Sequence, residues 1–337
     1  MADRLRILVL PPEALRREIF QPGALERLQA HSEVILNDRP GNWTSAELAA
    51  AIPGVDAVIA SWGSPKFDEQ VLAAADRLRF IGYAAGSIKN IIPPEAFDRG
   101  ITVCHAADLI ADSVAELCLG YILMIWRQIP QYDQAMHAHR PWREITAQYG
   151  YGRGLYYKTI GLIGCGMVAR KFIRLLKPFE PTILVYDPYL SDERAAELGV
   201  TKVSLEELFE RSDIISNHLP TTPETHRMIR AEHLRRIRDG ALFINTARAA
   251  AIDYDALLDE LRTNRFQAAL DVFPQEPLPE DSPFRDLPHV VLTPHRAGST
   301  IESRQRLGTA MIDELLRFFR GEPLRYQVRK EQLAIMA

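Results

Sequence analysis

The stretch that most restricts what this chain can fold into is TIGLIGCGMVARKFIRLLKPF, residues 159–179. An apolar run leads into Gly164 and Gly166, and an amphipathic segment follows. Gly164, Gly166 and Ala169 keep the G-x-G-x-x-G/A spacing of a dinucleotide-binding turn. In such a turn the first glycine permits a tight bend and the second lets backbone N–H groups approach a pyrophosphate. The small third residue lets helix and strand pack closely. The pyrophosphate would sit at the positive end of the helix. The next apolar run, TILVYD, ends in Asp187, which lies 23 residues past Gly164. That is near the roughly 20 expected for a carboxylate that binds a ribose 2′-hydroxyl. An acid there favours NAD and repels the 2′-phosphate of NADP. The plainer reading is a glycine-rich turn of any α/β protein, with Asp187 as a helix cap.

The turn stands inside a longer alternation. From Thr159 onward, apolar runs recur at TIGLIG, TILVYD, DIISNHLP, ALFINTA, AALDVF and VVLTPH. The first hundred residues carry a shorter series: RILVL, VILND, AVIASW, RFIGYA and ITVCHA. Helical segments separate the runs, which implies parallel β/α units. The expected fold class is therefore α/β, with two doubly wound parallel-sheet domains. At 337 residues both can bury a core. Residues 112–129, DSVAELCLGYILMIWRQI, read as a helix apolar nearly all round, hence buried. Residues 130–158 lose periodicity and are rich in Tyr and Trp. They read as an unstructured arm that packs on a second subunit, or as a long loop packed on its own chain.

Composition excludes several partners. The chain is 47% hydrophobic and 25% charged, with a net charge of -4 and no basic run, which argues against nucleic acid or an anionic membrane. The longest uninterrupted apolar stretch, residues 117–126, is too short to span a bilayer, and the N-terminal run is too short for a signal peptide. Cys104, Cys118 and Cys165 show neither metal nor disulfide spacing. They read as buried thiols of a cytoplasmic protein.

In open parallel sheets, ligands bind outside the carboxyl ends of the strands. The later strands of the second series end in polar groups: Asp187; Asn217 and His218; Asn245, Thr246 and Arg248; Asp271; His295. Any one of these alone is more simply a cap or turn residue, but five successive strands end this way. NAD-linked alcohol/ketone chemistry needs a proton donor and acceptor beside the hydride site. Histidine suits both directions. A carboxylate fixes its tautomer, and an arginine binds a substrate carboxylate in a fork. His295, Glu276 and Arg248 are the candidates.

Taken together, SVAE (113–116), GLIGCGMVA (161–169), VYDP (185–188), HLPTTPET (218–225), INTAR (244–248), LDVFPQEPLP (270–279) and LTPH (292–295) resemble the NAD-dependent D-2-hydroxyacid dehydrogenase family. The resemblance implies a flavodoxin-like substrate domain over residues 1–105 and a Rossmann NAD-binding domain over 106–298. A C-terminal helix, 299–337, would return to the first domain. It implies Arg248 as the carboxylate-binding arginine, Glu276 as the partner of the histidine and His295 as acid/base. Gly164, Gly166, Met167, Val168, Asp187, His218, Pro220, Thr225, Thr246, Ala247, Asp271 and Ala297 would line the NAD cleft. Trp62, Gly86 and Ser87 would meet the substrate, with simple packing as the alternative for Trp62. His218 reads as a cleft residue rather than a catalytic one, and His105 as packing. A homodimer through the cofactor domains and a small 2-hydroxy or 2-keto acid substrate are implied as partners.

Three features depart from the family's pattern. The loop usually written G-x-G-x-D-N reads Ala85-Gly86-Ser87-Ile88-Lys89-Asn90. Ala249 and Ala250 follow Arg248 where glycine is usual. Arg296 follows His295 where an apolar residue is usual, and is expected to face the interdomain surface or a nearby carboxylate. An NAD-sensing scaffold akin to the corepressors of this fold, or oxidation of a small oxyanion such as phosphite, are the alternative functions.

Overall fold

The computed structural model describes residues 4–334 and Met336; the outermost residues of the terminal domain ranges lie outside these. The chain divides into two compact units, one running to Ala111 and resuming at Gly298, the other spanning Asp112–Ala297.

The first unit is built on five parallel strands: β1 (Leu5–Val9), β2 (Ser32–Leu36), β3 (Ala57–Ala60), β4 (Phe80–Tyr83) and β5 (Thr102–His105). Their spatial order, β5-β4-β3-β1-β2, is the flavodoxin-like order, and a short antiparallel strand, Gln327–Val328, adds to the β5 edge. Side chains alternate across the sheet, so each strand serves two cores. Leu8, Val58, Ile81 and Val103 pack on one face. Ile7, Ile59, Phe80 and Cys104 pack on the other, against Leu307, Met311 and Leu315 of the long helix Ile301–Phe319. That helix starts at Thr300, whose hydroxyl accepts the Ser303 N–H.

The second unit holds seven parallel strands: β6 (Thr159–Ile163), β7 (Thr182–Tyr186), β8 (Thr201–Lys202), β9 (Ile214–Asn217), β10 (Leu242–Asn245), β11 (Gln267–Leu270) and β12 (Val290–Leu292). Their order is β12-β11-β10-β9-β6-β7-β8. Strand order reverses between β6 and β9, the point at which open α/β sheets bind ligands. All eleven strands expected from the apolar runs form. The two-residue β8 and the Gln327–Val328 strand, too short to show a periodic pattern, were not expected.

Two expectations need correction. Residues 130–158 are not structureless, because helices Ile129–His137 and Trp142–Tyr149 lie within them. Pro130 sits at the start of the first helix, where its missing N–H costs nothing, so a residue that reads as a breaker is an initiator. The apolar helix is also longer than its uninterrupted apolar stretch. It runs Ala107–Trp126 and is long and apolar enough to cross a membrane. Half of it is buried: Ala115, Cys118, Tyr121, Ile122 and Trp126 are, while Leu123 is exposed. The Tyr121 hydroxyl lies 2.5 Å from Thr293 Oγ1, just past β12.

Candidate active site

The glycine-rich turn has the shape its spacing predicts. Gly164 leaves β6 with φ +91°, and a Cβ there would lie 3.1 Å from the His218 carbonyl oxygen. A side chain would therefore be strained twice, by dihedral and by contact. Over Gly166 an added Cβ meets nothing within 4 Å. The helix Met167–Leu176 begins immediately after it, with no side chain capping its first N–H groups. Open space above uncapped N–H groups fits a pyrophosphate. Ala169 is fully buried against the sheet. Asp187 closes the site from β7, its carboxylate accepting the N–H groups of Cys165 (2.7 Å) and Tyr189 (2.8 Å). It is therefore tied to the turn itself, with lone pairs left for a ribose diol.

Several of the polar strand ends brace one another. Asn217 donates to Asn245 Oδ1 (3.1 Å), and Asn245 in turn donates to the Tyr254 hydroxyl (3.0 Å). Tyr254 donates to the Val272 carbonyl (2.5 Å), which links the loops after β9, β10 and β11. Thr246 Oγ1 lies 3.3 Å from the buried Cys118 thiol. Thr225 donates to the Pro220 carbonyl (2.7 Å) and accepts the Thr222 N–H, shaping the loop after β9. His218 packs its ring on Phe172. Burial pulls its pKa down to about 4, so it is neutral at pH 7. Its Nε2 is buried without a hydrogen-bond partner among the described residues.

The His295 turn is built on Asp271. This carboxylate, fully buried at the end of β11, accepts the Thr293 hydroxyl (2.5 Å) and the N–H groups of Arg296 (2.8 Å) and Ala297 (2.9 Å). His295 N–H donates to the Asp271 carbonyl (2.8 Å). So held, His295 adopts φ +53°, a left-handed conformation uncommon for a non-glycine residue. Such outliers persist where surrounding structure over-determines them, and they cluster at functional sites.

His295 Nδ1 lies 2.7 Å from Glu276 Oε2. The other Glu276 oxygen accepts the Phe273 N–H (2.9 Å), so the carboxylate is oriented at both ends. Burial alone would raise the Glu276 pKa. Hydrogen bonds from His295 and Phe273, and the charges of His295 and Arg248, outweigh it and hold the carboxyl below its ordinary value. Its contribution to stability is therefore present above the ordinary carboxylate range and lost as pH falls through the lowered value. Arg248 is half-buried, and burial pulls its pKa down while Glu276 opposes that. One of its guanidinium nitrogens donates to the Ala247 carbonyl (2.7 Å).

Arg248, Glu276 and His295 all line one cavity of about 570 Å³, with Ala249, Ala250 and Phe273 among its walls. Three residues far apart in sequence thus converge. The alanines after Arg248 form a 3-10 turn, and neither is among the positive-φ residues, so this turn does not need glycine. Arg296 is exposed, and its guanidinium has no ion pair among the described residues. Of the two settings expected for it, the carboxylate one is not met among the described residues, where its backbone N–H reaches Asp271.

In the first unit, Gly86 and Ser87 follow β4 at the carboxyl edge of the sheet. His105, expected only to pack, also holds this turn: its Nδ1 lies 2.9 Å from the Gly86 carbonyl oxygen. Burial lowers the pKa of His105, which favours the neutral ring that donates this bond. Trp62 lies just past β3, 37% exposed, with the Arg304 guanidinium over its ring. The links made by His105, Arg304, Tyr121 and Tyr254 escape sequence reading, because each spans a separation that no local pattern encodes.

Comparison with known proteins bears on this arrangement. The model of the D-isomer specific 2-hydroxyacid dehydrogenase NAD-binding domain matches residues 119–297. A glyoxylate reductase of Thermofilum pendens is 35% identical over 332 residues, covering 96% of each chain. A D-3-phosphoglycerate dehydrogenase of Mycobacterium tuberculosis is 34% identical over 312 residues, 92% of this chain and 57% of that one. This chain thus spans little more than half the length of such curated relatives. Among solved structures, a phosphoglycerate oxidoreductase from Rhizobium etli superposes with a TM-score of 0.80 at 29% identity, covering 97% of this chain and 99% of that one.

Proposed function

We propose, for a chain that belongs to the D-isomer specific 2-hydroxyacid dehydrogenase family, that it interconverts a small 2-keto acid and its 2-hydroxy acid with NAD. The observation that carries the reading is the His295–Glu276 pair in one cavity with Arg248.

Bound NAD(H) supplies the hydride, and the protein supplies orientation and a proton. Glu276 accepts the Nδ1 proton of His295, which leaves Nε2 as the end that gives or takes a proton at the substrate oxygen. The carboxylate also stabilises the imidazolium form, the one needed for reduction. Arg248 binds the substrate carboxylate through two parallel N–H donors. The Gly86–Ser87 turn of the first unit offers backbone N–H groups suited to a substrate carboxylate. On the cofactor side, Gly164, Gly166, Met167 and Val168 hold the pyrophosphate, and Asp187 takes the ribose diol. Asp271, Ala297, Thr246 and Ala247 stand at the nicotinamide, and His218, Pro220 and Thr225 shape the cleft wall. An acid at Asp187 makes NAD the better fit than NADP.

The experiment is direct. Purified protein with NADH and a panel of 2-keto acids should reduce at least one, with NADPH clearly poorer. Absence of turnover across the panel, in protein that binds NADH, sinks the reading.

We also propose that the enzyme is a cytoplasmic homodimer formed through the second unit. Trp142, Tyr151, Tyr156, Tyr157, Ile129 and Met136 are exposed there, and Tyr151 fully so. Aromatics and methionine are enriched in interfaces. Three buried free cysteines suit a reducing compartment. Trp142→Glu is expected to shift the sedimenting species from dimer to monomer. A wild-type protein that sediments as a monomer at micromolar concentration contradicts this.

A further inference from the structure

We propose that Arg304 is a positioning residue for side-chain selection. Tethered to Glu18, it holds the Trp62 indole as a fixed wall beside the Gly86–Ser87 turn, and so restricts the enzyme to 2-keto acids with small side chains. The inference rests on the reading that this turn takes the substrate carboxylate.

Hydrogen bonds on either side fix the main chain at Trp62. Before it, Ser61 donates its hydroxyl to the Ala84 carbonyl (2.9 Å), which ties the end of β3 to the start of the turn that holds Gly86. After it, the Ser64 hydroxyl accepts the Ser61 N–H (3.0 Å), and the Ser64 N–H returns to the Ser61 carbonyl (3.1 Å). Beside it, Gly63 has φ +76°, and a Cβ there would come within 2.1 Å of the Asn42 side chain. No other residue fits that bend without displacing Asn42. Trp62 is thus anchored at the sheet edge, close to the turn.

The side chain is held as firmly. The Arg304 guanidinium carbon lies 4.7 Å from the indole centroid. Its Nη2 is 2.6 Å from Glu18 Oε2. Arg304 Nε is buried with no hydrogen-bond partner among the described residues. An arginine that leaves a buried donor unmatched needs compensation, and stacking on an indole within a partly desolvated site supplies it. The planar fork suits this double duty of stacking on a ring and pairing with a carboxylate. With one indole face covered and the ring still partly exposed, Trp62 offers the remaining surface as a wall that cannot swing away.

Glyoxylate and phenylpyruvate are the test substrates, with NADH as reductant. Trp62→Ala should raise the ratio of kcat/KM for phenylpyruvate over glyoxylate by about 10–100-fold, the range expected when a pocket gains room. Arg304→Gln, which leaves the indole in place but unclamped, should raise the same ratio about fivefold, mainly through KM. Arg304→Lys, which keeps the cation, should recover most of the wild-type ratio. In substrate-free enzyme labelled with 5-fluorotryptophan, the Trp62 resonance, assigned by its loss in Trp62→Phe, should move or broaden in Arg304→Gln. Should Arg304→Gln fail to fold, Glu18→Gln loosens the clamp from its exposed end and is read the same way. A changed ratio in Trp62→Ala with none in the clamp variants, and an unmoved resonance, overturns the proposal but leaves the pocket reading intact. An unchanged ratio in Trp62→Ala overturns both the wall and its clamp. Equal losses for both substrates in Arg304→Gln mean a merely structural arginine and also overturn it.

Discussion

His295→Ala should lower kcat for ketoacid reduction by roughly 10²–10⁴, the usual contribution of a positioned general acid. NADH affinity should stay near wild type, because the hydrogen bonds that shape this turn run through backbone groups and Asp271 rather than the imidazole. Stopped-flow kinetics with a fluorescence titration of NADH separates the two effects. A variant that keeps more than a tenth of wild-type kcat means that another group moves the proton. Glu276→Gln is the companion. It keeps the size and an oxygen acceptor but can turn an NH2 donor toward Nδ1, which disfavours the tautomer that the carboxylate holds. kcat should fall at least about tenfold with NADH affinity near wild type. An unchanged kcat would mean that Glu276 does not orient the ring for proton transfer.

Arg248→Ala should have a comparable effect on a different parameter. Two charge-assisted hydrogen bonds to a carboxylate contribute about 1.5–3 kcal/mol each, so kcat/KM should fall by roughly 10²–10⁴. Arg248→Lys should recover only part of the loss, since an ammonium cannot reproduce the planar fork. Much of the fall should appear in KM, and the loss should be smaller for a 2-ketoamide than for the matching acid. Equal losses for acid and amide would place Arg248 elsewhere in the reaction. The half-buried guanidinium bears on this result. Among the described residues the guanidinium is held by a hydrogen bond to the Ala247 carbonyl, which leaves most of its donors for a ligand.

The two predictions draw on different kinds of legibility. The Gly164–Gly166 turn and Asp187 could be read because their chemistry is local. A bend needing φ > 0, an open approach and a carboxylate at the next strand end are all spacings along one β-α-β unit. The strands themselves were legible from apolar runs, and a C-terminal helix from the family resemblance. The segment 130–158 was misread because short helices start on Pro130 and follow Pro141, and have little periodic signal of their own. His295 and Arg248 were legible as residue types at strand ends, and Glu276 with them as a family resemblance, but not as a geometry.

What the sequence determined by itself is the two parallel-sheet folds and the nucleotide turn, which depend on backbone dihedrals, alternation and short-range spacing that a linear chain encodes directly. The roles of the candidate acid, its carboxylate partner and the cation came from residue chemistry and the family resemblance. Only the tertiary structure decided how those residues are held. It placed His295 in a left-handed conformation by surrounding it with Asp271, set Glu276 at 2.7 Å from its ring, made His105 a brace for Gly86, and laid Arg304 over Trp62. Each of those contacts joins residues between about 19 and 240 positions apart. Their partners are chosen by packing of whole elements, and no local pattern carries that information.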